Sequence, residues 1–359
     1  MREQKSSILS KCMGGALIGL KPIADSASSG SVAPFKNPQI MIPRFNDNWY
    51  CWSHFGLFFS DLPEPHRFLN IMILFGTPGA MAFDHDYLVK NNSPRTTATL
   101  FSGTAACSDF LLKGYIINEE CHANADGSDI TFGQELKIEG KYPHVKLIGN
   151  YAGLDIDIQV DITDQVSYFA KSFIYDHLSL LATYEGRIIF NGQETPVKGL
   201  CTYEYARAFG LYSLKNQPID YRHKIPLNFF TYQILKIDQD IQVLLTKAEI
   251  LGVPVCYCIH VRRLNQSSEY YDDVKFEVLE YYEQEKVGLN GGSTKVPKKL
   301  SWIAKDKQGN VLLSILGDAD TEYHYGHGVG YSTCYKFHGE FENRPIEGRC
   351  YMEYVDIPY

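Results

Sequence analysis

Two glutamates in similar surroundings are the residues best placed to move a proton. One lies in Gly199-Leu200-Cys201-Thr202-Tyr203-Glu204-Tyr205-Ala206-Arg207, the other in Gly348-Arg349-Cys350-Tyr351-Met352-Glu353-Tyr354. Alternate side chains of an extended strand face opposite ways, so Glu204 is opposed to Tyr203 and Tyr205, while Glu353 shares a face with Tyr351. Two placements of Glu204 follow. If the tyrosines point inward, it is a solvent-facing charge, the ordinary state of a glutamate without a partner. If it points into a barrel lumen, paired with Arg207, His177 or a tyrosine hydroxyl, desolvation raises its pKa and makes it a usable proton donor. His177 and Tyr175 would then align it or relay protons, and the ring faces of Trp52, Tyr203 and Phe173 would stabilise positive charge developing on a substrate.

Other chemistries find little support. Gly326-His327-Gly328-Val329-Gly330 lacks the spacing and the following helix of a dinucleotide-binding turn, and neither a Walker-type loop nor a G-x-S-x-G elbow is present. His324 and His327 would share a face only on a helix, which the glycines oppose, so no metal is expected. The nine cysteines are odd in number and include no C-x-x-C pair, which fits reduced thiols in a cytosol; Cys256 and Cys258 read as packing residues on one strand face.

The elements that must position these residues are strands. Leu154, Ile156, Ile158, Val160 and Ile162 alternate with Asp155, Asp157, Gln159 and Asp161, the mark of a strand with one wet face. Asn191-Gly192 follows Arg187–Phe190 as a hairpin turn, Val274–Val278 alternates again, and Gln308-Gly309-Asn310 separates Trp302–Asp306 from Val311–Leu316. Helical periodicity is confined to Ile8–Leu20 and Ile219–Phe230, the second interrupted by Pro226. The expected class is all-β with few short helices. Residues 1–30 read as a mobile leader, 31–217 as one β unit and 218–359 as a second, with the connection near Pro218 and a solvated loop over Lys286–Lys299.

Composition agrees. With 359 residues, 45% of them apolar and 48 aromatic, the chain has ample material for a large core and is not disordered. A net charge of −8 without a basic stripe offers no general attraction to phosphate backbones, so no nucleic-acid partner is expected. The most apolar run, Phe68–Phe83, is broken by Asn70, Thr77, Pro78 and Gly79 and falls short of the roughly 20 residues of a transmembrane helix. Arg2, Lys5 and Lys11 before Cys12–Leu20 imitate a secretory signal, but that apolar stretch contains two glycines and stops at Lys21, so a cytoplasmic location is expected.

A family resemblance emerges from three segments. Tyr175-Asp176-His177-Leu178-Ser179-Leu180 followed by Gly199–Arg207 resembles the Tyr-x-x-x-x-Leu strand and G-x-A-W-x-D-x-E segment of the double-lipocalin group, which includes the carotenoid 1,2-hydratases, AttH-like proteins and fungal Diels-Alderases. Trp49-Tyr50-Cys51-Trp52-Ser53-His54-Phe55-Gly56 is similar to its aromatic opening strand, and Gly348–Glu353 to its closing strand. Thr202 stands where the hydratases carry an aromatic residue, and Glu204 replaces aspartate. The resemblance implies two lipocalin-like antiparallel β-barrels packed side by side, with a hydrophobic ligand cavity in or between them. It implies a ligand site drawn from Trp52, His54, Phe173, Tyr203, Arg207, Tyr351 and Glu353, with Glu204, His177 and Tyr175 catalytic and no cofactor. The expected ligand is an isoprenoid, polyene or lipid, either hydrated, isomerised or cyclised with acid assistance or carried unchanged. A third reading makes the acidic, tyrosine-rich Glu269–Glu285 a docking surface.

Overall fold

The alternating run at Leu154 opens a strand of 18 residues, Leu154–Lys171, whose first half alternates between buried and exposed or half-exposed positions. From residue 165 to 169 every side chain is buried. The change marks where the outer face of one sheet passes beneath another. The computed structural model describes residues 6–358. Its first sheet has eleven strands: β1 (Trp52–Phe59), β2 (Leu69–Gly76), β3 (Thr97–Thr104), β4 (Leu111–Ile116), β5 (Cys121–Ala123), β6 (Asp129–Phe132), β7 (Leu136–Lys141), β8 (His144–Tyr151), β9 (Leu154–Lys171), β10 (Tyr175–Phe190) and β11 (Gln193–Ala208). They pair in the order β4-β3-β2-β1-β11-β10-β9-β8-β7-β6-β5, so the last strand closes onto the first.

The second sheet repeats that logic. Its strands are β12 (Leu227–Lys236), β13 (Ile241–Ile250), β14 (Val253–Arg263), β15 (Glu269–Tyr271), β16 (Val274–Tyr281), β19 (Pro297–Lys305), β20 (Val311–Ala319), β21 (His324–His327), β22 (Gly330–Phe341) and β23 (Arg344–Asp356), and a separate small hairpin joins β17 (Lys286–Val287) to β18 (Ser293–Thr294). The last strand, β23, again pairs with the first, β12. Both sheets are antiparallel and strongly curled, one into a nearly closed barrel and the other into a half-barrel. The Asn191-Gly192 turn has both residues at positive φ, 50° and 80°, as a two-residue hairpin requires.

Each sheet packs its own concave face. Phe55, Leu57, Ile71, Ile73, Phe75, Tyr203 and Tyr205 belong to the first core, and Val243, Leu245, Val261, Trp302, Tyr335 and Tyr354 to the second. Gln233, inside the second core, accepts from Trp302 Nε1 at 2.9 Å and Tyr335 Oη at 2.6 Å, so its burial leaves its carbonyl oxygen satisfied. A third apolar layer, including Phe58, Phe68, Phe169, Phe230, Tyr232, Ile234, Leu244 and Tyr351, forms where the outer faces of the two sheets meet. Phe58 stacks on Tyr351 at 5.4 Å, and Phe169 meets Tyr232 edge-on at 5.2 Å; such pairs add about 0.5–1.5 kcal/mol each beyond area burial.

Helix α1 (Ile8–Ala24) and the short α2 (Ala27–Ser31) occupy the segment expected to be a leader; its residues 1–5 lie outside the described residues. Ser7 caps α1, Ser10 Oγ donates to Lys224 O at 2.6 Å, and a Cβ on Gly14 would sit 2.8 Å from Pro226, so α1 lies against the connection between the sheets. Ser31 Oγ donates to Ala27 O, receives Tyr168 N–H and lies 3.2 Å from His260 Nε2. These contacts give the segment a fixed partner that local sequence does not disclose. Ile219–Phe230, in contrast, is not helical: a 3₁₀ turn at Tyr221–His223 runs into strand β12, in keeping with Pro226 and the aromatic residues beyond it. That connection is pinned to the first sheet by Lys224, whose Nζ contacts Asp84 Oδ2 at 2.6 Å in full burial. Among the described residues no helix is long and apolar enough to cross a membrane.

Candidate functional site between the sheets

Strand alternation sends Tyr203 and Tyr205 into the first core and Glu204 out of it. Glu204 is nonetheless only 2% exposed, because β12 and β23 of the second sheet cover that outer face. The carboxylate is therefore neither in a lumen nor in solvent. The same parity places Trp52 and His54 of β1, Met72 and Leu74 of β2, and Tyr175 and His177 of β10 on this wall. Phe230 and Tyr232 of β12, Thr246 of β13 and Glu353 of β23 form the facing wall, with His327 at its edge.

These groups surround a void of about 30 Å³, room for about one water, that adjoins an apolar chamber of about 220 Å³. Trp52, Phe83, Phe169, Tyr175, His177, Phe230 and Thr246 line both. Leu17, Leu20, Lys21 and Asp25, from α1 and its C-cap, form the chamber's outer side, with Ile225, Ile250 and Cys256 opposite the first sheet. Cys256 and Cys258 lie on one face of β14 with sulfurs 3.9 Å apart.

On the first wall, His54 Nδ1 lies 3.0 Å from Ile73 O, which makes it the protonated nitrogen and leaves Nε2 bare. His177 Nδ1 is 2.9 Å from Tyr175 Oη, and its Nε2 is 3.7 Å from Glu204 Oε2. Tyr232 reaches across from the second sheet and donates its hydroxyl to Glu204 Oε1. Burial alone would raise the Glu204 pKa, as the sequence suggested, but His177 beside it, the Tyr232 hydroxyl donated to it and the neighbouring His54 outweigh that effect and hold the carboxyl below its usual value. Burial, with the neighbouring His177, pushes His54 down to about 4.

The second wall behaves oppositely. Glu353 is also 2% exposed, accepts from Tyr351 Oη at 2.9 Å, and is pushed well above its ordinary value by burial and by the charge of Glu204. His327 Nδ1 lies 3.3 Å from Glu353 Oε1 without hydrogen-bond alignment, and neither of its ring nitrogens has a partner. Burial and the other histidines hold it neutral, well below 6.5.

Of the residues singled out by sequence, Trp52, His54, Tyr175, His177, Glu204 and Glu353 line the void, and Tyr351 supports Glu353 from the same face. Three do not join them. Phe173 is 68% exposed at the β9–β10 turn, where its carbonyl accepts from Trp49; Tyr203 is committed to the first core by parity; Arg207 turns to Asp176 at 2.7 Å and lies over the Tyr50 ring. Sequence reasoning missed Phe169, Phe230, Tyr232 and His327. The bulge between His177 and Leu178, opposite Phe169, and the aromatic run at Phe229–Tyr232 carried the available signal.

A profile of a family of unknown function, DUF6670, matches residues 72–358. The chain belongs to that family. The family match takes in every lining residue named above except Trp52, His54 and those of α1 and its cap. No curated protein matches it in sequence. Among solved structures, this DUF6670 member is similar to an AttH from Nitrosomonas europaea (TM-score 0.57, 12% identity, 91% of this chain and 98% of that one). It is also similar to kievitone hydratase from Nectria haematococca (0.56, 11%, 93% and 98%) and to CghA (0.51, 8%, 94% and 95%). At these identities the likeness establishes a shared fold, the double-barrel AttH-like architecture.

Proposed function

We propose that the chain is an acid–base enzyme that adds water to a carbon–carbon double bond of a small apolar molecule held between its sheets. The observation that carries this reading is the pair of buried glutamates on opposite walls of one void beside an apolar chamber, their pKa values pushed in opposite directions by their neighbours. Environments that separate the pKa values of two carboxyls assign an acid and a base. Glu353, whose burial favours the protonated form, is the acid, where the sequence alone had pointed to Glu204.

The chemistry closes on itself. The Glu353 hydroxyl protonates one alkene carbon, leaving a cation on its neighbour, and the faces of Trp52, Phe169 and Phe230 are available to stabilise it. A water adds to that carbon and passes its extra proton toward Glu204 and His177, which release it to solvent, while solvent returns a proton to Glu353. The same first step starts an isomerisation or cyclisation when a proton is lost or a second double bond attacks. A chamber of about 220 Å³ exceeds the roughly 150 Å³ that accommodates benzene and suits a short isoprenoid. That one structurally similar protein is named a hydratase adds weight.

The test is turnover of a panel of short isoprenoid alkenes in oxygen-18 water. Label should enter the product, and Glu353→Gln should slow this by about 100-fold or more while ligand affinity changes only a few-fold. A protein that purifies with a bound lipid yet labels none of the panel would be a carrier, and the reading would fail.

A further inference from the structure

We propose that His54, His177 and Glu204 form a binding site for a divalent transition-metal ion such as zinc. One ligating atom from each of the three lies within 4.8 Å of the others, with His177 Nε2 and Glu204 Oε2 3.7 Å apart. Two imidazoles and one carboxylate are the donor set of catalytic zinc sites and of the facial triads that keep positions open.

Each donor is also held from behind, as metal ligands are. The His54 Nδ1–H engages Ile73 O at 3.0 Å, which points Nε2 away from the backbone. Tyr175 Oη fixes the His177 ring through Nδ1 at 2.9 Å, and the Tyr232 hydroxyl occupies the other oxygen of Glu204. Such outer partners set tautomer and ring orientation around a bound ion. The strands place the donors rigidly: Ala206 is paired on one side with His54 and on the other with His177, and Glu204 stands two residues along.

A second observation points the same way. His177 Nε2 and both nitrogens of His327, a residue only 4% exposed, are buried without hydrogen-bond partners around this void. Buried polar atoms are rarely left unsatisfied, and three in one small space indicate a missing polar occupant. An ion on His54, His177 and Glu204 with a water on its open side would engage His177 directly and bring that water toward His327. Resting on the proposed hydration, the ion would take over from Glu204 and His177 the activation of the nucleophilic water opposite Glu353, since metal-bound water ionises near neutral pH.

The experiment uses the purified full chain and the metal alone. After chelation and desalting, titration with Co²⁺ at neutral pH should give one equivalent bound, with the visible absorption of a low-coordinate site, and Zn²⁺ should displace it. Tyr175→Phe should weaken binding by about 10–100-fold, and His54→Gln or His177→Gln by more. X-ray absorption on the wild-type zinc form should count two imidazoles, a result that needs no variant to fold. A wild-type protein that takes up no Co²⁺, or a His54→Gln/His177→Gln variant that binds it equally well, would overturn the site. Because these readouts involve no substrate, they stand apart from any failure of the alkene panel.

Discussion

The two sheets present the same device in opposite electrical states. Glu204 is on the last strand of the first sheet, paired with that sheet's first strand at Gly56; Glu353 is on the last strand of the second, paired with its first strand at Tyr232. Both point outward from their own barrel, and both are 2% exposed. Glu204 has His177, His54 and the Tyr232 hydroxyl around it and stays ionised. Glu353 has a tyrosine hydroxyl, a neutral histidine and the charge of Glu204, and is pushed toward its protonated form. Residue type and strand position are therefore insufficient to define an acid or a base; the neighbours supplied by the facing wall decide.

The comparison breaks most visibly in acid. His54 and His85 are pushed down to about 4 and His260 to about 3, all chiefly by burial, and His327 lies well below 6.5. Each folded-state value lies below the unfolded one, so each contributes stability that is complete above about pH 6.5 and is lost as pH falls toward 4. These four groups alone give a loss of up to about 5.6 kcal/mol per pH unit, at about 1.4 each. Denaturant unfolding from pH 7 to pH 4 should show that limb, and His54→Gln should flatten it by about one proton. A flat profile would mean that burial does not lower these histidines, and the neutral-histidine wall around Glu353 would be lost.

Removing hydroxyls sharpens the contrast. Tyr232→Phe takes a donor from an ionised carboxylate and should cost about 1.5–3 kcal/mol, whereas Tyr351→Phe takes one from a neutral acid and should cost about 0.5–1.5 kcal/mol. Equal losses in urea unfolding at pH 7 would place the two glutamates in the same state.

The smallest effects differ in sign. The lowered Glu204 pKa contributes stability above its unfolded value of 4.5 that is lost as pH falls through the folded value; the raised Glu353 pKa contributes stability below 4.5 that is lost as pH rises through the folded one. At pH 8, Glu204→Gln should therefore destabilise by about 1 kcal/mol or more, while Glu353→Gln should be neutral or stabilising. Paired unfolding curves at pH 5 and pH 8 check both.

Local features were legible in the sequence because their causes are local. The alternation at Leu154–Ile162 and the Asn191-Gly192 turn need only strand parity and positive φ, and both reappear in the structure. The resemblance of the opening, middle and closing strands carried the double-barrel fold. The surroundings of Glu204 were not legible, because parity tells which residues leave a core but not what covers the outer face afterwards. His54 comes from β1, while His177 and Glu204 come from the two arms of the β10–β11 hairpin, so the set leaves no short ligand spacing to read. Tyr232 acts on Glu204 only through docking of the sheets, and α1 finds its place only against Pro226 and Ile250.

Infrared spectroscopy of the metal-free protein at pH 7 tests the central claim most directly, by following the carbonyl stretch of a buried, un-ionised carboxylic acid. The band should be present in the wild type, survive Glu204→Gln and vanish in Glu353→Gln. A band that survives Glu353→Gln and vanishes in Glu204→Gln would contradict the account.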